Sequence, residues 1–296
     1  MNEFFTADPD CLKSVGDLRY LFGLFGPYTG RYLAAYPTDW VSRVLDHFSH
    51  LPDVEQERVK TILRRAGEGA SYLNNSSLPW SSQVPWLANA LSIKMSIPPR
   101  IDEVISSANQ TDALPFDDLT IPNTADEKIE ATPDGYVRIA RTLISISGEL
   151  FFIDPYLSPC RRDIRVVIEA LLKKVVSCPK CRSVIFYARM SNVIGKSGFK
   201  WAEIVATWIE LLAGVKWKAD RHFRYVLVDD DSAACKMHGR YLFSVKGGIR
   251  LDQGFQRLPK GRTVDVSPVG KLVHEELLST YLDRNPDMKS AYEFVP

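Results

Sequence analysis

Apolar positions recur at helical spacing through the first 110 residues of the chain. The clearest stripe combines spacings of one, three and four residues and is formed by Trp40, Val41, Val44, Leu45, Phe48 and Leu51. Pro52 follows this stripe directly and ends the helix that it predicts. Weaker stripes predict helices at Asp53–Arg65, around Trp86 and at Ile101–Ala108. The pattern therefore predicts an all-α N-terminal domain over residues 1–110.

The composition changes between residues 111 and 133. This stretch is acidic and polar, contains Pro115, Pro122 and Pro133, and shows no periodicity of apolar positions. Prolines and polar residues without a periodic apolar face are typical of connecting segments. We therefore predict a linker over residues 111–133.

From residue 134 onward, helical and strand patterns alternate. Periodic apolar residues indicate the helices, and short continuous apolar runs indicate buried strands. The predicted strands are Leu150–Asp154, Ser183–Ala188, Phe223–Val228, Arg240–Val245 and Gly248–Leu251, and the predicted helices are Val137–Ser147, Ile164–Val175, Phe199–Leu212 and Val269–Leu282. This order of elements predicts an α/β domain over residues 134–296.

The composition is that of an ordinary water-soluble chain, with 45% hydrophobic and 25% charged residues. No apolar run reaches the roughly 18 residues that a membrane-spanning helix needs. The start of the chain, Met1–Phe5, lacks the basic residues and apolar core of a secretory signal. A cytoplasmic protein is the expectation.

The net charge of +1 conceals a strong asymmetry along the chain. Residues 1–132 contain 11 Lys or Arg and 18 Asp or Glu, whereas residues 161–262 contain 21 Lys or Arg and 9 Asp or Glu. A basic segment of this size suits a polyanion such as nucleic acid. The alternative is that these cations form the solvated faces of helices. The acidic N-terminal region is expected to contact a protein partner.

Five cysteines are scattered along the chain, and only Cys178 and Cys181 have metal-ligand spacing. A structural zinc site usually needs a second pair of ligands. The alternative reading, a reduced loop without metal, is the one that the sequence favours.

The late segment around His238 and Arg240 carries the strongest candidate chemistry. In a strand, residues two apart project from the same face, so these two side chains would share one space. A neutral imidazole can attack phosphorus or carry a proton, and a guanidinium can bind two phosphate oxygens. The pair therefore indicates a phosphate site, and the competing interpretation is two solvated strand positions.

The order of elements, the strand Phe151–Tyr156 and the segment His238–Leu242 resemble the phospholipase D superfamily, in particular its small nuclease and phosphodiesterase modules. The resemblance covers roughly residues 134–284. It implies a mixed sheet flanked by helices, with His238 as nucleophile and Arg240 as phosphate clamp. It also implies chemistry without a metal or another cofactor. Further phosphate-binding cations are expected to be Lys236, Arg224 and Arg250.

The segment departs from the family pattern in several ways. Arg240 stands where the family has Lys, which changes the geometry of the phosphate clamp. Val245 stands where the family has Asp, although Asp252 could substitute for it. The family mechanism also uses two histidines from two copies of the motif, and this chain has one copy. Activity would then require a homodimer that pairs two copies of His238, or a second acid within the chain. The candidates for that acid are His222 and Asp154.

Three functions follow from these observations. The first is a phosphodiesterase or nuclease that acts on a nucleic-acid backbone, with the family resemblance suggesting a subunit of a prokaryotic multi-protein system. The second is an inactive phospholipase D-like module that binds nucleic acid or a protein partner. The third is recognition of anionic lipid headgroups.

Overall fold

The computed structural model describes residues 3–74, 78–96, 101–107, 112–117, 119, 126–229, 237–282 and 289–296. The chain divides into two compact units, residues 2–124 and residues 125–296. Among the described residues, no helix combines the length and apolar character that crossing a membrane requires.

The first unit alternates strands and helices. Its elements are β1 (Glu3–Ala7), α1 (Val15–Leu24), β2 (Arg31–Ala35), α2 (Trp40–His47), α3 (Asp53–Glu68), β3 (Tyr72–Asn74), α4 (Trp86–Lys94), β4 (Glu103–Ser106) and β5 (Leu114–Pro115). All neighbouring strands pair in parallel, in the order β3-β2-β1-β4-β5. Helices connect β1 to β2, β2 to β3 and β3 to β4, as crossovers between parallel strands usually do.

The prediction of an all-α N-terminal domain is wrong. Helices α2, α3 and α4 lie where the apolar stripes predicted them, but β4 replaces the helix predicted at Ile101–Ala108. Strand β2 is buried along its whole length, and β1 is buried from Phe4 to Ala7. A strand that is covered on both faces shows no alternation of apolar and polar residues, so its short run carries no clear signal.

The second unit contains a larger, mixed sheet. Its elements are β6 (Glu127–Glu130), α5 (Pro133–Ile146), β7 (Glu149–Ile153), α6 (Arg162–Ser177), β8 (Ser183–Arg189), a π-helical turn (Ser191–Lys196), α7 (Trp201–Gly214), β9 (His222–Asp229), β10 (Tyr241–Ser244), β11 (Gly247–Leu251), β12 (Thr263–Pro268), α8 (Lys271–Leu277) with a π-helical extension (Leu278–Leu282), and β13 (Lys289–Phe294). The strand order is β13-β9-β8-β7-β10-β11-β12-β6. Strands β7, β8 and β9 are parallel, and the other pairs are antiparallel.

The predicted α/β class is confirmed for residues 125–296. Residues 111–133, which the sequence indicated as a linker, contribute β5 to the first sheet and β6 to the second. Strands β12 and β13 were not predicted. Thr132 directly precedes helix α5, and its hydroxyl accepts a hydrogen bond from the Gly135 amide and caps the helix.

An aromatic core fixes the parallel strands of the second unit. The rings of Phe152 in β7 and Phe186 in β8 stack with centroids 4.6 Å apart. Trp208 in α7 lies 5.1 Å from Phe186 and 5.0 Å from Phe223, and its side chain is fully buried. These contacts give the ends of the strands a rigid base from which loops can present polar side chains.

Candidate phosphate-binding site

The carboxyl ends of β7, β8 and β9 meet at one edge of the second sheet. Ligands of α/β proteins generally bind in the crevice outside such an edge. Asp154 directly follows β7. Strand β10 runs antiparallel to β7, with Tyr241 paired to Ile153, so Arg240 reaches the same edge. We call this region, with Tyr156, Arg161 and residues 252–256, the carboxyl edge.

Asp154 is the buried centre of the carboxyl edge, with 2% of its surface exposed. Its carboxylate accepts hydrogen bonds from the backbone amides of Tyr156 (2.9 Å) and Phe255 (3.1 Å). Burial raises the pKa of Asp154, while the two amide donors and the charge of Arg240 act in the opposite direction. The carboxylate therefore organises the loops after β7 and β11 and is not itself open to a ligand.

Arg240 is held at the edge but stays partly open. Its Nε lies 3.8 Å from Oδ1 of Asp154, and its Nη1 donates to the carbonyl oxygen of Asp252 at 2.9 Å. Its side chain is 27% exposed. The guanidinium carbon lies 5.6 Å from the ring centroid of Tyr156, which is within the range of a cation–π contact. Two contacts thus orient the guanidinium beside an exposed aromatic ring.

A glycine allows this close packing. Gly254 has φ +75°, a conformation that other residues adopt only with strain. A Cβ at this position would lie 2.1 Å from Oδ2 of Asp154 and 2.7 Å from Cδ of Arg240. The backbone at Gly254 is held in turn by the Tyr136 hydroxyl, which donates to the carbonyl oxygens of Gly254 and Gln256. The loop after β11 therefore fits the Asp154–Arg240 pair only with glycine at residue 254.

Arg161 adds a second guanidinium to the carboxyl edge. Its Nη2 donates to Oδ2 of Asp163 at 2.5 Å and to Oε1 of Gln256 at 3.1 Å. Its side chain is 33% exposed. These contacts connect the start of α6 to the loop after β11.

The structure corrects the strand predicted at His238 and Arg240. Both residues precede β10, which begins at Tyr241, so the alternation of strand faces does not determine where their side chains point. A Cβ at Gly239 would lie 2.0 Å from the Tyr241 ring, which shows how tightly the chain turns there. His238 is exposed. The structure brings Arg240 together with Asp154, as two of the predicted site residues.

His222 and Arg224 do not belong to the carboxyl edge. Both lie at the beginning of β9, and His222 pairs with Ser183 at the start of β8, at the opposite end of the sheet. The Arg224 guanidinium makes two hydrogen bonds to the Glu293 carboxylate, of 2.5 and 2.8 Å, and its side chain is only 11% exposed. The structure therefore places neither His222 nor Arg224 beside Arg240.

The remaining predicted cations have mixed positions. Arg250 is exposed on β11, where it pairs with Tyr241 of β10. Lys236 lies outside the described residues. Asp252 contacts Arg240 through its backbone carbonyl, whereas its carboxylate accepts a hydrogen bond from the Asp265 amide.

Cys178 and Cys181 are free thiols. Cys181 is buried, and burial raises its pKa to about 12, so this thiol stays protonated at neutral pH. Within the described ranges, no group of three or more His, Cys, Asp or Glu side chains is placed to hold a metal ion.

Several residues of the carboxyl edge were missed by the sequence analysis. Tyr156 enters the sequence analysis only as the last residue of the strand Phe151–Tyr156 in the family resemblance, and Arg161 only as one basic residue of the segment 161–262. The sequence assigns no role to Gly254 or Gln256. The Gly-Phe step at residues 254 and 255 was a usable signal, because glycine beside a predicted strand end often marks a close backbone approach.

The pH dependence of stability tests the burial of Asp154. The folded protein holds the proton of this carboxyl more tightly than an unfolded chain, whose pKa is 3.8. The contribution of Asp154 to the free energy of unfolding should thus fall as pH rises from 3.8 through the raised pKa. We expect the stability advantage of the wild type over Asp154→Asn, measured by urea denaturation, to shrink as pH rises through this window. An advantage that grows with pH would contradict the assignment.

Comparison with known proteins gives little beyond this geometry. No family model matches the chain, and no curated protein matches it. Among solved structures, the chain is similar to TrmBL2, described as an archaeal chromatin protein with a novel mode of DNA binding. The TM-score is 0.29 at 8% sequence identity, over 86% of this chain and 71% of that chain. A similarity at this level supports no conclusion about the fold or function of this chain.

Proposed function

We propose that the second unit binds the phosphodiester backbone of single-stranded nucleic acid at the carboxyl edge. The observation that carries the proposal is the partly exposed Arg240 guanidinium, fixed by Asp154 and the Asp252 carbonyl beside the exposed ring of Tyr156. The resemblance to phospholipase D-like modules, itself a prediction from the sequence, supports the same class of ligand, a phosphodiester.

The side chains at the edge suit the two parts of a nucleotide. Nη2 of Arg240 makes no hydrogen bond to any residue in the described ranges, so it can donate to a phosphate oxygen. Tyr156 is 41% exposed as a residue, and its ring can stack on a base. A cation beside an aromatic ring is the usual combination for binding a single strand without sequence preference.

Further exposed cations lie in the segments that flank the carboxyl edge. They lie in segments that follow the carboxyl ends of β7 and β8 or the end of β11, and they are Arg162, Lys196, Lys200, Arg257 and Lys260. None of these five makes an ion pair with a described residue. Their charge can attract a polyanion from a distance that depends on salt.

Binding is better supported than catalysis. A two-histidine mechanism needs a second histidine near His238, but His222 lies at the other end of the sheet. The Asp154 carboxylate accepts hydrogen bonds from two backbone amides and lies beside Arg240, so it is not positioned to donate a proton to a bound ligand. Homodimerisation and a protein partner for the acidic first unit stay predictions from the sequence.

Fluorescence anisotropy with a labelled DNA strand tests the proposal. We expect the double variant Tyr156→Ala/Arg240→Lys to weaken binding by about tenfold or more, because a stacked base contributes about 1–3 kcal/mol. The matched control, Tyr28→Ala/Arg64→Lys, changes an exposed tyrosine and an exposed arginine of the first unit and should leave affinity unchanged. Equal affinities of the double variant and the wild type would refute the proposal.

The same samples separate binding from turnover and from lipid recognition. Strand cleavage that persists with a chelator and disappears in His238→Ala would show that the protein is a phosphodiesterase and would contradict a function limited to binding. Preference for vesicles containing phosphatidylserine over the DNA strand would replace it by recognition of lipid headgroups. The proposal expects intact DNA and no such preference.

A further inference from the structure

We propose that the opposite end of the second sheet is a separate surface for the backbone of double-stranded nucleic acid. This surface is formed by four exposed cations, Lys180, Arg182, Lys216 and Lys218. We call this region the amino edge, because β7, β8 and β9 begin there. The inference does not depend on the function proposed for the carboxyl edge.

Two loops come together at the amino edge. Arg182 directly precedes β8, and its carbonyl oxygen accepts a hydrogen bond from the amide of His222 at 2.7 Å. His222 begins β9 and follows the turn that contains Lys216 and Lys218. In that turn the Arg221 amide donates to the Lys218 carbonyl at 3.1 Å. The pairing of β8 with β9 thus places the cations of both loops next to each other.

Arg221 locks the two loops in place. Its guanidinium donates four hydrogen bonds, of 2.6 to 3.0 Å, to the carbonyl oxygens of Val175, Val176, Cys178 and Cys181. These carbonyls belong to the end of α6 and the loop that carries Lys180. The bonds satisfy carbonyl groups that a helix end leaves without partners. The positions of Lys180 and Arg182 relative to Lys216 and Lys218 are therefore fixed before any ligand binds.

The cations of the amino edge are available to a ligand. Lys180, Arg182, Lys216 and Lys218 make no ion pair with any residue that the structure describes. The nearby carboxylates are those of Asp220, in the same turn, and Glu149, which accepts a hydrogen bond from the Ser183 hydroxyl at 2.6 Å. Two carboxylates do not neutralise four cations, so the edge keeps a positive excess.

The character of the surface favours a duplex over a single strand or a membrane. Trp217, the aromatic residue of the turn, donates to the Arg221 carbonyl and packs edge-on against Phe223, so its ring is not free to stack on a base. The two loops, residues 176–183 and 213–222, contain no exposed large apolar side chain that could insert into lipid. Cations alone suit the regular row of phosphates along a duplex.

Anisotropy titrations with a labelled DNA duplex and with one of its separated strands test this inference. The variant carries Gln at residues 180, 182, 216 and 218. We expect its duplex affinity to fall by about tenfold or more. The slope of log affinity against log salt concentration should decrease in magnitude by at most about 3.6, the value for four lost phosphate contacts. Its affinity for the separated strand should change less.

A control variant removes the same charge elsewhere on the second unit. It carries Gln in place of four exposed cations that already have acidic partners, Lys128, Arg138, Lys173 and Lys271. Equal duplex affinity of the two variants would overturn the inference, because it would show that only total charge matters. A loss of binding to phosphatidylserine vesicles with unchanged duplex binding would overturn it in favour of a membrane.

The two edges can fail separately in these experiments. The variant Tyr156→Ala/Arg240→Lys should bind the separated strand more weakly and bind the duplex with nearly unchanged affinity. If that variant behaves like the wild type while the Gln variant loses duplex binding, the amino-edge inference stands and the proposed function fails. If the Gln variant binds the duplex like the wild type while Tyr156→Ala/Arg240→Lys loses binding of the separated strand, the amino-edge inference fails and the proposed function stands.

Discussion

Replacement of Gly254 by alanine is expected to destabilise the second unit by about 2–5 kcal/mol. Its φ of +75° is strained for any residue with a Cβ, and that Cβ would lie 2.1 Å from Oδ2 of Asp154. The carboxylate must then move away from the Phe255 amide, to which it is hydrogen bonded at 3.1 Å. Urea denaturation, combined with hydrogen exchange of peptides from β7 and β11, measures the loss in this unit.

Gly261 provides a closely matched control for this substitution. It has a similar φ of +81°, but no atom lies within 4 Å of the position of an added Cβ. Gly261→Ala should therefore show only the strain of the left-handed backbone, about 1–2 kcal/mol. The difference between the two variants isolates the steric contact with Asp154. Equal losses would mean that the loop after β11 does not pack on Asp154 as described.

Replacement of Asp154 by alanine is expected to cost about 3 kcal/mol of unfolding free energy. The backbone amides of Tyr156 and Phe255 lose their acceptor, and Arg240 loses its counter-charge. Arg240 should also become more mobile, so binding of a DNA strand should weaken in parallel. Asp154→Asn keeps one acceptor oxygen and should lie between the wild type and alanine.

Asp220→Ala is the control for the charge change. Asp220 is exposed and makes no hydrogen bond or ion pair through its side chain to any described residue. Its replacement should stay within about 0.5 kcal/mol of the wild type. If Asp154→Ala were as stable as this control, the carboxylate would not be the organising centre of the carboxyl edge.

The helices could be predicted from the sequence, because an amphipathic stripe is a local property. The apolar stripe beginning at Trp40 and the one in α6 both lie on observed helices. The strands of the first sheet could not be recognised in the same way. Strand β2 is buried at every residue, so its sequence shows neither alternation nor helical spacing.

The candidate site was predictable only as separate residues. Arg240 and Asp154 were both selected from the sequence, yet their contact depends on β10 pairing antiparallel with β7 across 86 residues of chain. The same dependence on strand order explains why His222 and Arg224 lie away from Arg240. The direction of β9, which places His222 at the other end of the sheet, cannot be read from the local sequence. Arg224 was assigned to phosphate although its partner, Glu293, lies in a strand that was not predicted.

Photo-crosslinking tests the central claim most directly. A DNA strand with 5-bromouracil in place of thymine would be bound to the wild-type protein, irradiated and analysed by mass spectrometry of the crosslinked peptides. A base stacked on the exposed ring beside Arg240 should crosslink at Tyr156. In the variant Tyr156→Phe/Arg240→Lys, the yield of this crosslink should decrease in proportion to the loss of DNA binding. Crosslinks confined to residues 3–124, or their absence from the segment around Tyr156, would contradict a phosphodiester-binding carboxyl edge.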